Sequence, residues 1–184
     1  MKKKTIAVVL ALVLVICCAV GGVLAWLTDT TAPIENIFTV GNVKIALAEG
    51  EKLDLKMVPG QDIEKDPKVT VEAGSEACWL FVKVEKSTVL DSYIDYTVDN
   101  GWTPLDGVNG VYYKEVDATT AANGAVYSVL TGDQVTVKDA VTQQMMDDLN
   151  VTGATQPTLT FTAYACQSAG FETAAAAWAA ANFS

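Results

Sequence analysis

The sequence contains no histidine and no arginine. Without imidazole there is no His-Glu-x-x-His zinc site and no Ser-His-Asp or Cys-His catalytic arrangement. Without guanidinium the chain lacks the forked donor that binds phosphates and guanine edges through paired hydrogen bonds. These absences exclude common hydrolase mechanisms, and we expect neither an enzyme nor a nucleic-acid-binding protein.

Carboxylates are the remaining candidates for catalytic groups. Asp91, Asp95 and Asp99 lie four apart, and Asp147 adjoins Asp148. Asp95 and Asp99 fall on the polar face of a predicted strand, where a solvated surface is the simpler interpretation. No loop has the spaced acidic ligands of an EF-hand. We therefore predict no catalytic residue, no metal site and no cofactor.

A basic and then apolar segment begins the chain. Lys2 to Lys4 form a positive region, an unbroken apolar run covers residues 6–20, and small or modest residues lead to Ala25. This pattern is typical of a signal peptide, and we predict cleavage between Ala25 and Trp26. An uncut membrane anchor is the alternative, because the apolar character continues far enough to approach a spanning helix of about 20 residues.

Removal of the signal peptide, residues 1–25, would leave 184 minus 25, or 159 residues, which suits one domain with a substantial core. The leader holds three of the 12 lysines and none of the 22 acidic residues, so the net charge becomes 9 minus 22, or −13. Such a surface repels nucleic acid and anionic lipid. We expect no nucleic-acid partner and no membrane contact after cleavage.

Two of the four cysteines, Cys78 and Cys166, lie outside the leader. In an exported protein they could form one disulfide. Their strand positions argue otherwise, because Cys78 shares its parity with Leu80 and Val82, whereas Cys166 shares its parity with Thr162. Two packed free thiols are the other interpretation.

Alternating apolar and polar residues predict strands with one buried face. The alternation is clearest over residues 94–99 and 158–165, whereas residues 78–85 begin apolar on both parities, as in a central strand covered on both sides. Turn pairs such as Asn109-Gly110 and Asn123-Gly124 separate shorter candidates. The sequence therefore predicts a mostly β fold, an antiparallel two-sheet sandwich over residues 48–184.

Two short peripheral helices interrupt this pattern. Residues 139–149 place Val141, Met145 and Leu149 on one face, which predicts an amphipathic helix. Residues 173–181 are nearly all alanine, the best helix former, with Trp178 as an anchor. A frayed low-complexity tail is the alternative for this second segment.

Residues 26–47, which we call the N-terminal segment, include a predicted first long strand. Its apolar residues are Phe38, Val40, Val43, Ile45 and Leu47. The first two have even parity and the others odd parity, so the apolar face changes side at Gly41-Asn42. A glycine at a phase change suggests a β-bulge. An ordinary edge strand with a bulge is an equally simple interpretation.

Two stretches of this region carry a resemblance to a known family. Ala25-Trp26-Leu27-Thr28-Asp29, followed by Asn36-Ile37-Phe38-Thr39-Val40-Gly41-Asn42-Val43, resembles the leader and first strand of the TasA/camelysin family. These are exported proteins whose leaders are cut by a dedicated SipW-type signal peptidase. Looser matches occur at Val58-Pro59-Gly60, Gly74-Ser75 and Ala163-Tyr164-Ala165.

The resemblance implies a jelly-roll-like sandwich and a place outside the cell, at the surface or in fibres of the biofilm matrix. It also implies that the N-terminal segment of one subunit adds as a strand to the sheet of the next. The implied partners are other copies of the chain, a SipW-type signal peptidase and an accessory matrix protein. The implied assembly residues are Trp26, Leu27, Phe38, Val40, Val43, Ile45 and Leu47. The camelysin name carries a metalloprotease association, which the absence of histidine opposes.

A secreted adhesin or carbohydrate-binding module is the alternative function. Trp102, Tyr112 and Tyr113 could form an aromatic platform for a sugar, although aromatic residues also fill sandwich cores. Exposure of Trp102 beside Tyr112 would favour this hypothesis, and burial of Trp102 would remove its basis.

Overall fold

The fold is mostly β, with antiparallel sheets and short helices. The computed structural model describes residues 29–30, 43–49 and 57–183. The strands are β1 (Asp29–Thr30), β2 (Ile45–Ala48), β3 (Asp62–Glu64), β4 (Lys68–Val71), β5 (Cys78–Lys86), β6 (Ile94–Asp95), β7 (Thr103–Pro104), β8 (Val111–Val116), β9 (Ala125–Ser128), β10 (Gln134–Val137) and β11 (Leu159–Gln167). The helices are α1 (Ala118–Asn123), α2 (Gln143–Leu149) and α3 (Ala174–Ala181).

The strands form one large sheet and two small ones. The large sheet has the order β1-β11-β5-β8-β7, and the small sheets have the orders β3-β10-β6 and β2-β4-β9. Every pairing between these strands is antiparallel. The predicted antiparallel sandwich is confirmed, with the difference that two three-stranded sheets, rather than one sheet, lie opposite the large sheet.

The main core joins all three sheets. It contains Leu80 and Val82 of β5, Val69 of β4, Val137 of β10 and Ile45 of β2, of which the most exposed, Ile45, is only 3% exposed. Within each of these strands, the residues that face this core are two positions apart. This spacing follows from the alternation of side chains between the two faces of a strand. Burial of each such side chain contributes about 1.5–3 kcal/mol.

A second core covers the opposite face of the large sheet. Trp79 and Phe81 of β5 and Tyr164 of β11 lie against α3, which contributes Trp178 among its alanines. The rings of Phe81 and Trp178 have centroids 5.2 Å apart. The prediction that the strand beginning at Cys78 is covered on both sides is therefore confirmed.

Side-chain caps begin each helix. The hydroxyl of Thr142 accepts a hydrogen bond from the Met145 amide at 3.3 Å, so α2 begins at Gln143 rather than at residue 139. Thr173 caps α3 in the same way, through the Ala176 amide at 3.2 Å. The sequence pattern did not predict α1, which Asp117 caps. No helix in the described ranges is long and apolar enough to cross a membrane.

Candidate assembly edge

The N-terminal segment contributes the outermost strand at one edge of the large sheet. Within β1, Asp29 is paired with Ala165 and Thr30 with Tyr164, antiparallel to β11. On its inner side β11 pairs with β5 along all nine residues, from Leu159 to Gln167. Of the described strands, only the two-residue β1 pairs with the outer side of β11.

The composition of β11 favours strand addition at this edge. The strand reads Leu-Thr-Phe-Thr-Ala-Tyr-Ala-Cys-Gln, without a charged residue or a proline. At the opposite edge of the sheet, β7 contains Pro104 and the neighbouring β8 contains Lys114 and Glu115. Charged residues, prolines and very short strands protect natural sheet edges against further pairing. β11 itself contains none of these protecting residues, and among the described strands only β1 pairs with its outer side, at two of its nine positions.

The later part of the N-terminal segment belongs to a different sheet. β2 pairs with β4, with Ile45 opposite Val71 and Ala48 opposite Lys68. Val43 is 4% exposed and Ile45 is 3% exposed, and both lie in the main core of their own chain. Leu47 packs against the same core and is partly buried.

Hydrogen bonds hold the start of this strand in place. The Lys44 amide donates to the Ser75 hydroxyl at 3.2 Å, and the Ser75 hydroxyl donates to the Glu72 carbonyl at 2.6 Å. The Glu72 amide returns a hydrogen bond to the Lys44 carbonyl at 2.9 Å. Ser75 is buried, so this small network fixes residues 43–45 within the chain.

The two described parts of the segment lie on the same side of the sandwich. β1 pairs with β11, and β2 also contacts β11 from the facing sheet. Residues 31–42 connect them. The predicted cleavage site at Ala25 and Trp26, the bulge at Gly41-Asn42 and the assembly residues Leu27, Phe38 and Val40 lie outside the described residues.

The disulfide alternative is wrong in this structure. Cys78 and Cys166 are free thiols, and both are buried. Cys78 lies in the main core and Cys166 in the second core, on opposite faces of the large sheet. Burial raises the pKa of Cys78 to about 12, with a further contribution from Cys166, and burial raises the pKa of Cys166 to about 11. Both thiols therefore stay protonated and unreactive at neutral pH.

The aromatic platform does not form. Trp102 is 5% exposed, and its indole nitrogen donates to the Ser128 carbonyl at 2.9 Å. Tyr113 packs in the second core, where its ring meets Trp79 with centroids 5.9 Å apart. Tyr112 packs instead against the main core. Neighbouring residues on a strand point to opposite faces, so Tyr112 and Tyr113 cannot share one surface.

The aspartates near residue 95 each have a partner of their own. Asp91 pairs with Lys86 at 2.6 Å, Asp95 pairs with Lys138 at 3.2 Å, and Asp99 accepts from the Gly101 amide at 2.9 Å. Within the described parts of the chain, no group of three or more metal-ligating side chains comes together. The arrangement is that of a solvated, ion-paired surface.

The sequence indicated that the N-terminal segment forms a strand. It did not indicate that β1 and β2 of this segment belong to different sheets. The edge strand β1 consists of two residues, too few for an alternating pattern, and its partner is more than 130 positions away along the chain. The absence of charge from residues 159–167 was the available signal for an open edge. No family model, curated protein or solved structure matches this chain.

Proposed function

We propose that this chain is an exported structural protein of the cell surface or biofilm matrix that assembles by addition of its N-terminal strand to other copies. The observation that carries the proposal is the pairing of β1 with β11, a strand without charged residues or proline. The resemblance to the TasA/camelysin family supports export and cleavage by a SipW-type signal peptidase. The proposed role is structural, without catalysis and without a cofactor.

The same pairing can form within one chain or between two chains. Backbone groups at a sheet edge accept any strand that supplies matching donors and acceptors. Each copy offers one N-terminal strand and one β11 edge, so the two halves of an interchain contact are different surfaces. A contact between two different surfaces propagates as a filament unless its rotation closes a ring.

Three of the predicted assembly residues lie within the described ranges, and four do not. Val43, Ile45 and Leu47 pack in the core of their own chain, where they anchor the segment. Trp26 and Leu27 at the new terminus, with Phe38 and Val40, are the residues that we propose to pair with the next copy. This assignment lets β1 leave its own β11 edge while β2 stays in place.

Competition between the two pairings sets the conditions for assembly. The intrachain and interchain pairings form the same hydrogen bonds. The intrachain pairing is favoured because β1 and β11 are already held close together in one chain. A short connection gives an effective concentration in the range of about 1 mM. Filaments should therefore need high local concentration or a partner, such as an accessory matrix protein, that displaces β1 from its own chain.

Engineered cysteines test for exchange of β1 between copies. Asp29 and Ala165 are opposite each other in the ladder, at a Cα separation of about 4.5–5.5 Å that a disulfide can bridge. We expect a mixture of Asp29→Cys and Ala165→Cys chains to form disulfide-linked heterodimers after concentration. The matched control mixes Asp29→Cys with Thr103→Cys at the opposite edge, and it should form none.

A chain carrying both substitutions supplies the functional test. Oxidation should lock β1 on its own β11, and electron microscopy should then show no filaments, whereas reduction should restore them. N-terminal sequencing of the exported form should begin at Trp26. The proposal is wrong if the locked chain forms filaments as readily as the reduced chain, or if the exported form keeps its leader.

A further inference from the structure

A second feature lies away from the assembly edge, on the other side of β5 from β11. A cleft of about 440 Å³ opens between the end of β5, residues 91–98 and β8. Its polar and aromatic lining consists of Lys86, Asp91, Asp95, Tyr96, Thr97 and Tyr112. The cleft is largely open to solvent, so a ligand bound in it would keep one side exposed.

The charges around the cleft balance. The ammonium group of Lys86 contacts both carboxylate oxygens of Asp91, at 2.8 and 2.6 Å. Lys138 pairs with Asp95 at 3.2 Å. Two cations and two carboxylates leave no net charge, so the cleft has no strong preference for an anionic or a cationic ligand. Each carboxylate still has lone pairs that can accept further hydrogen bonds.

Two tyrosines give the cleft both aromatic surface and hydroxyl groups. Tyr96 and Tyr112 are partly buried, and among the described residues neither hydroxyl makes a hydrogen bond to another protein group. The hydroxyl of Tyr93, by contrast, donates to the Met145 carbonyl at 3.2 Å. Burial raises the pKa of Tyr96 above its ordinary value, so this hydroxyl remains a donor at neutral pH.

We infer that this cleft binds a neutral sugar unit of a polysaccharide. Sugar hydroxyls both donate and accept hydrogen bonds, which suits the hydroxyls of Tyr96 and Tyr112 together with the Lys86–Asp91 pair. The apolar C–H face of a sugar ring packs well on amphipathic aromatic side chains. Val98, which is partly buried, adds apolar surface to the same lining. This site does not depend on strand exchange, so a monomer should bind.

The test titrates the purified chain with three soluble neutral probes: oligomers of glucose, of galactose and of N-acetylglucosamine. NMR should show shifts concentrated in the amides of residues 86–98 and 112 for at least one probe. The double variant Tyr96→Phe/Tyr112→Phe keeps both rings and removes both hydroxyls, so we expect its affinity to fall about tenfold.

Tyr127→Phe is the matched control, because Tyr127 is also partly buried but lies beside Trp102, outside the cleft. It should bind as tightly as the unaltered chain. The inference is overturned if no neutral probe shifts these amides at about 10 mM, or if the double variant binds equally well. Tighter binding of an oligogalacturonate would also overturn it, because the ligand would then be recognised by its charge.

Discussion

The surroundings of a single side chain decide whether it serves folding or assembly, and Val43 is the clearest case in this chain. The resemblance to the TasA/camelysin family implies that Val43 inserts into a neighbour. Its 4% exposure places it instead in its own main core, next to the network around Ser75. A residue that is already buried in its own chain cannot also fill a site in the next copy.

Replacement of Val43 by aspartate should therefore unfold the monomer rather than only prevent assembly. An unpaired charge at a buried position costs about 3–5 kcal/mol. Urea unfolding should show this loss in the free energy of unfolding. The matched control is Ala48→Asp, at an exposed position of the strand β2 that follows Val43, which should change the free energy of unfolding little. If the Val43→Asp monomer is stable but fails to assemble, Val43 contacts the neighbouring copy and this prediction is wrong.

Asp117 makes a pH-dependent contribution at the start of α1. Its carboxylate accepts hydrogen bonds from the Thr120 hydroxyl at 2.7 Å and from the Thr119 amide at 2.9 Å. Hydrogen bonds, chiefly from Thr120, hold the pKa of Asp117 below its ordinary value. A lowered folded-state pKa means that the stabilisation is present above the unfolded-state pKa and is lost as pH falls through the folded-state pKa.

We expect the difference in unfolding free energy between the unaltered chain and Asp117→Asn to shrink on acidification below about pH 3.9, the ordinary Asp value. Asparagine still caps a helix but does not titrate in this range. Urea unfolding of both chains over a pH series measures the difference. A difference that stays constant, or grows as pH falls, would contradict the proposed role of the ionised carboxylate.

Strands of four or more residues were predictable from sequence, including the short candidates that became β4, β8, β9 and β10, whereas β1 and α1 were not. β5 and β11 have nine residues each, enough for their periodicity to identify both strands and the two-sided burial of β5. β1 has two residues and exists because of its tertiary contact with β11. α1 has six residues, three alanines, two threonines and one asparagine, and so it has no stripe of large apolar side chains. The layer opposite the large sheet is divided into two sheets by pairings between strands that are distant in sequence. Local sequence patterns do not predict such pairings.

The alanine-rich α3 depends on tertiary packing more than its composition suggests. Its buried positions are Ala174, Ala177 and Ala181, and Trp178 provides its largest contact with the large sheet. The rings of Trp178 and Tyr164 have centroids 5.4 Å apart. A helix of eight residues is marginal on its own in water.

Trp178→Ala should therefore destabilise the chain by about 3–5 kcal/mol and release α3 from the sheet. Exposure of Trp79 and Phe81 should increase binding of a hydrophobic dye such as ANS. Ala179→Ser, at an exposed position of the same helix, is the control and should leave both stability and dye binding nearly unchanged. Unaltered stability in Trp178→Ala would mean that α3 does not cover this face in solution.

At the scale of the whole molecule, the two proposed sites lie on separate parts of the large sheet. The assembly edge is on β11, and the cleft is beside β8, with β5 between these strands. A filament built through β11 would therefore leave the cleft of each subunit available. Repeated weak sugar sites along a filament would bind a long polysaccharide more tightly than one subunit does, because later contacts are intramolecular.

The two buried thiols have a consequence for where such a protein can work. Cys78 and Cys166 lie on opposite faces of the large sheet and are not bonded to each other. The stability of this sandwich therefore comes from packing rather than from a bridge between them. Neither an oxidising catalyst during maturation nor an oxygenated habitat afterwards is needed to keep these two positions in their native state.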